Sequence, residues 1–172
     1  MAERSALQFW GMRLLYPLMA LVILFVALLP TGLLPSRVAG PDVLTALTLA
    51  WAGRRPEHLP ALSVAAVMLL ADFLLQRPPG LWALLVLLAV EWLKSQDRRL
   101  RDSTFFDELL TVGLLLLTIT LIYRAVLALL IVAPGALPLA AMQYAGTLAI
   151  YPFVAGALYL GLGVRRSLPR GI

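Results

Sequence analysis

A chain of 172 residues that is 62% hydrophobic and only 13% charged, with a mean hydropathy of +0.92, has too little polar surface to coat a water-soluble globule. Lipid must cover much of it, and the absence of cysteine excludes a disulfide framework and a thiolate metal site. The net charge of +5 would suggest nucleic acid in a soluble protein, but here the basic residues stand in short clusters between apolar runs, the pattern that sets membrane topology.

The first apolar run, 14–34, follows Arg4 and Arg13 and so invites a reading as a secretory signal peptide. It is too long for one and matches the roughly 20 residues needed to cross about 30 Å of hydrocarbon. Val38-Ala39-Gly40 is a weak cleavage site, and the segment is read as an uncleaved first helix. The second run, 41–54, and the fourth, 80–95, are short for lipid-exposed spans. Joining the second to the third, 58–76, as a re-entrant hairpin would place Arg54, Arg55, Glu57 and His58 at membrane depth, at about 2.5 to 3.5 kcal/mol per charge. Two short spans are the better expectation, sheltered among longer neighbours or matched by local thinning and tilting of the bilayer. The fifth and sixth helices follow at 107–132 and 136–163. The chain therefore predicts an all-α integral membrane protein, a single polytopic domain over 1–172 with six transmembrane helices.

Basic residues test this arrangement. With the N-terminus inside, the cytoplasmic side holds Arg4, Arg13, Arg54, Arg55, Lys94, Arg98, Arg99, Arg101, Arg165, Arg166 and Arg170, against Arg37 and Arg77 outside. Both termini are then cytoplasmic. The longest polar connection, from Lys94 to Asp107, is too short to bury a core and reads either as a solvated loop or as a docking patch for acidic lipid or a partner. Asp107 and Glu108 suit the first turn of the fifth helix.

No catalytic constellation is visible: the chain lacks HExxH, GxSxG and phosphate-cradling glycine loops, and the single His58 cannot build a histidine-rich metal site. No enzyme activity, metal or cofactor is expected. The ionisable residues within spans are Asp72, Glu91 and Arg124. Asp72 and Arg124 fall at similar depth and could pair across helices, as a structural ion pair or an ion or substrate relay, with a snorkelling arginine as the other reading; Glu91 is expected to reach the headgroups. Ala141, Ala145, Ala149, Ala157 and Gly161 form a small-residue stripe on the sixth helix, interrupted by Phe153, and are assigned to packing within the bundle or against a partner helix. Trp10, Trp51, Trp82 and Trp92 lie near helix ends, where interfacial anchoring is expected.

Pro41-Asp42-Val43-Leu44, Trp51-Ala52-Gly53-Arg54-Arg55-Pro56, and Ala71-Asp72-Phe73-Leu74-Leu75 leading into Arg77-Pro78-Pro79-Gly80-Leu81-Trp82 resemble the rod shape-determining protein MreD family. The resemblance implies a non-enzymatic scaffold of the bacterial cell-wall elongation complex in the inner membrane. Its implied partners are MreC, the RodA-type glycan polymerase and elongation transpeptidase, membrane lipids and, indirectly, the MreB filament, with no nucleic acid. It singles out Asp42, Asp72 and the Arg77, Pro78, Pro79, Gly80 turn as candidate partner-binding or structural positions, beside Arg124. The family is similar in fold to the substrate-binding subunits of energy-coupling-factor vitamin transporters, which supplies the alternative function. Against that alternative, Ala20 and Ala27 lack the spacing of the Ala-xxx-Ala docking pattern, and the outer halves of the helices offer few polar groups: Asp42, Thr45, Asp72, Tyr123, Arg124, Gln143, Tyr144 and Thr147. An ion-coupled carrier using Asp72 and Arg124 ranks last, because repeated halves with matching broken helices are not apparent.

Overall fold

The computed structural model describes residues 2–29, 39–96 and 104–162. These form α1 (Ala2–Leu28), α2 (Val43–Arg54), a 3-10 turn (Pro56–His58), α3 (Ala61–Leu74), α4 (Leu81–Ser95), α5 (Phe105–Leu129) and α6 (Leu137–Leu162), with no strand among the described residues. Three helices are long and apolar enough to cross a membrane, through Gly11–Leu28, Phe105–Leu129 and Leu137–Leu160.

The ends of the helices follow from local chemistry. α1 begins well before its apolar run, because Ala2, Glu3, Arg4 and Ala6 favour helix regardless of hydropathy. It stops at Leu28, ahead of Pro30, where the residue before a proline is pushed out of the helical region. The predicted extension to residue 34 falls mostly outside the described residues. Asp42 caps α2, its Oδ1 accepting from the Thr45 amide at 3.0 Å. Thr104 and Asp107 form a reciprocal capping box at the start of α5. Pro17 and Pro152 both lie inside helices that continue through them.

The five helices other than α2 pack in the order α1, α3, α4, α5, α6, and α2 sits among them with contacts to α1, α4 and α6. Every residue from Leu44 to Ala52 is buried, so α2 is enclosed on all sides rather than amphipathic. This accounts for its length. A helix of 12 residues is about 18 Å long, too short for a lipid-exposed span but sufficient for one whose neighbours face the hydrocarbon. The outer surface carries the apolar side chains that a water-soluble protein would hide, including Leu14, Phe25, Leu62, Phe73, Leu121 and Leu160, the last 82% exposed.

Two of the tryptophans expected at the interfaces are core residues instead. Trp51 is fully buried, edge-on to Tyr16 with ring centroids 5.9 Å apart, and Trp82 is packed edge-on to Tyr123 at 5.1 Å. Position near a helix end does not imply exposure when the helix, like α2, is central. Trp92 is 47% exposed, consistent with an interfacial position, whereas the side chain of Trp10 is outside the described set.

Candidate functional site

The residues picked out between Pro41 and Gly80 converge at one end of the bundle. Besides capping α2, Asp42 donates its own amide to Thr147 Oγ1 of α6 at 2.8 Å and receives Arg77 Nη1 on Oδ2 at 3.2 Å. The Arg77 guanidinium lies 5.1 Å from the centre of the Trp82 ring, a cation–π contact, and Trp82 Nε1 donates to Thr45 Oγ1 at 3.2 Å. One acid thus links the start of α2, the turn after α3, and α6.

Asp72 holds the same turn from behind. It is fully buried on α3, and its Oδ2 accepts from the amides of Gly80 at 3.0 Å and Ala83 at 3.1 Å, two donors at the N-terminus of α4 that would otherwise be orphaned. Gly80 adopts φ +86°, a left-handed conformation that glycine takes without steric penalty, which lets the chain turn from Pro78-Pro79 into α4.

The expected pairing of Asp72 with Arg124 does not form. Arg124 instead donates from Nη1 to the Pro134 carbonyl at 2.8 Å and from Nη2 to the Gly135 carbonyl at 3.2 Å, bracing the α5–α6 connection. Similar depth along two helices did not bring the charges together, because each found unpaired backbone groups at a nearby helix end. The relay reading loses its basis with that pair.

Arg77 and Arg124 face a common cavity of about 200 Å³. Its polar wall gathers Asp42, Tyr123, Arg124, Gln143, Tyr144 and Thr147, six of the eight polar groups expected in the outer halves of the helices; Thr45 and Asp72 stand behind it. Arg77 and Trp82 complete the wall. Spacing alone gave no sign of this, since the lining comes from three helices and three connections.

The opposite end carries a site that hydropathy and spacing do not reveal. Arg54 and Glu108, both buried, pair at two points, Nη1 to Oε1 at 2.5 Å and Nη2 to Oε2 at 3.4 Å, and the Tyr151 hydroxyl donates to Glu108 Oε1 at 2.6 Å. Glu108 lies in the first turn of the fifth helix, as its sequence position suggests, but it and Arg54, expected on the cytoplasmic side, are both buried. The available signal was an acid at the edge of a long apolar run with a base at the same end of a neighbouring helix. Nearby, Lys94 Nζ bridges Glu91 Oε1 and the Leu59 carbonyl, both at 2.7 Å. Glu91 is about half exposed, as expected for a headgroup-facing acid. Burial holds the His58 imidazole below its ordinary value against the opposing pull of Glu57.

The small-residue stripe on α6 faces away from the bundle. Ala141, Ala145, Ala149 and Ala157 are all exposed, as is Phe153 between them, while the buried face is Thr147, Tyr151, Ala155 and Leu158. Gly161 lies in the last turn of α6, its surroundings outside the described set. Packing within the bundle is therefore corrected to an outward face. Among the described residues, no three His, Cys, Asp or Glu side chains converge as metal ligands.

No protein-family model, curated protein or solved structure matches the chain.

Proposed function

We propose that this chain is a non-enzymatic scaffold subunit of the bacterial cell-wall elongation machinery, of the MreD type, spanning the inner membrane six times with both termini in the cytoplasm. In this reading it binds MreC and, through it, the glycan polymerase and transpeptidase. The observation that carries the reading is the outward face of α6, where alanines at positions 141, 145, 149 and 157 leave the helix backbone open to close approach by a partner transmembrane helix. Lipid offers no hydrophobic gain for helix association, so small residues facing outward are the features that permit it. The convergence of the family-like residues supports the same reading, since Asp42, Asp72, Arg77 and Gly80 form one bonded turn at the end assigned to the outside by the distribution of Arg and Lys. Affinity purification of the full chain with substitutions on the α6 face tests it. MreC should be recovered with the native chain and lost when Ala145 and Ala149 are both replaced by leucine.

The cavity at Arg77 and Arg124 is the specific observation in favour of the alternative, a ligand-binding transporter subunit. Taken alone, its 200 Å³ falls below the roughly 300 to 1,000 Å³ of pockets that enclose a drug-sized ligand. Recovery of energising transporter subunits and paired ATPases in place of MreC would favour transport.

A further inference from the structure

Among the described residues, the charge in the polar cavity is unbalanced: its charged lining consists of Arg77, Arg124 and Asp42. Asp42 neutralises Arg77 at 3.2 Å, whereas Arg124 is bonded to two carbonyls, which carry no charge. A guanidinium has five N–H donors, and the two described bonds of Arg124 leave three for another acceptor. The Gln143 side-chain amide and the Tyr123 hydroxyl, both on the cavity wall, make no hydrogen bond to a described residue. A half-buried positive charge among apolar helices, with unused donors around it, is arranged to accept an oxyanion.

A second cavity, of about 610 Å³, adjoins the first and shares Asp42, Arg77 and Gln143 as wall residues. The rest of its lining is almost wholly apolar, with Val22, Ile23, Val26 and Ala27 of α1 along one side. Val22 is 57% and Val26 54% exposed, so this space opens through the side of the bundle that faces hydrocarbon. A polar anion-accepting chamber that shares a wall with an apolar one on the hydrocarbon side matches an amphiphile and not a free solute.

We propose that the Arg77–Arg124 cavity binds the phosphate headgroup of an anionic lipid, with the lipid's hydrocarbon chain lying in the apolar cavity along α1. Arg124 supplies the uncompensated charge, Gln143 and Tyr123 orient the phosphate oxygens, and the Asp42–Arg77 pair forms the boundary between head and chain. This site is distinct from the outward face of α6 and holds whether the chain is a scaffold or a transporter subunit.

The test is native mass spectrometry of the full chain released from detergent micelles doped with equal amounts of phosphatidylglycerol and diglucosyl diacylglycerol, a neutral lipid without phosphate. Retention of phosphatidylglycerol should exceed that of the neutral glycolipid by about tenfold, the effect of one charge-assisted contact worth about 1.4 kcal/mol. Arg124→Gln should abolish the preference and Arg124→Lys should keep most of it. Val26→Trp, which fills the apolar cavity from an exposed position and leaves the arginines in place, should also reduce retention. Equal retention of the two lipids by the native chain would overturn the proposal, as would undiminished retention of phosphatidylglycerol by Val26→Trp. Displacement of the lipid by millimolar inorganic phosphate or succinate would overturn it too, identifying a site for a soluble anion. The comparison of the two lipids on the native chain decides the matter even if Arg124→Gln fails to fold.

Discussion

Arg54 of α2 and Glu108 of α5 are joined by a two-point ion pair that is almost completely withdrawn from the surface, with side-chain exposures of 9% and 4%. The Tyr151 hydroxyl of α6 completes it, so three helices meet on one carboxylate. Removing either charge leaves the other buried without its partner, which costs about 3 to 5 kcal/mol. Glu108→Ala and Arg54→Ala should each lower the unfolding midpoint sharply in a denaturant titration in micelles. Replacing both together with Leu and Met should be milder than either single change, because no orphaned charge remains.

Asp72 acts as a cap for a helix other than its own. Asp72→Ala should destabilise the chain by about 1 to 2 kcal/mol, since the amides of Gly80 and Ala83 lose their acceptor. Asp72→Asn retains a side-chain oxygen and should lose less. If Asn and Ala were equally damaging, the carboxylate charge would matter more than the cap.

The turn before α4 requires a left-handed residue. Gly80→Ala places a Cβ in a conformation that L-residues adopt at a penalty of about 1 to 2 kcal/mol. The added carbon meets only Leu69 Cδ1, at 3.9 Å, so the effect is backbone strain and not a clash. Thermal unfolding in detergent should show a lower midpoint with no change in helical content.

Membrane orientation is open to direct chemistry, because the chain has no cysteine of its own. Ser95 and Ala136 are both exposed, at opposite ends of the bundle. The distribution of basic residues predicts that Ala136→Cys reacts with a membrane-impermeant maleimide on intact cells and that Ser95→Cys reacts only after lysis. The reverse labelling would invert the topology.

Much of the architecture was legible in hydropathy. The apolar runs locate all six described helices, and the short second run reads as sheltered because its polar ends make a re-entrant hairpin too costly. The cap at Asp42 follows from Pro41-Asp42 alone. Partners across the bundle were harder. Asp72 and Arg124 stand at similar depth yet bond to different backbone groups, because depth constrains one coordinate and leaves rotation about each helix axis free. The same missing coordinate explains why the α6 alanines read as packing within the bundle, whereas Trp51 leaves the expected interface because α2 is enclosed on all sides. Rotation of a helix in a bundle with apolar faces all round is set by side-chain volume and polar contacts, which a one-dimensional pattern does not encode.

The two faces of α6 should respond oppositely to enlargement. Ala155→Leu, in the core, should destabilise by about 1 to 3 kcal/mol through overpacking. Ala145→Leu with Ala149→Leu, on the exposed face, should leave the unfolding midpoint close to that of the native chain and affect only association.

The scaffold reading is tested most directly by purifying the native chain and the Ala145→Leu, Ala149→Leu variant from the native membrane in mild detergent and identifying every protein recovered with each. The account predicts MreC and the wall-elongation enzymes with the native chain, and their loss from a variant that remains folded. Equal recovery with both would contradict the α6 interface, and transporter subunits with paired ATPases in place of MreC would contradict the scaffold itself.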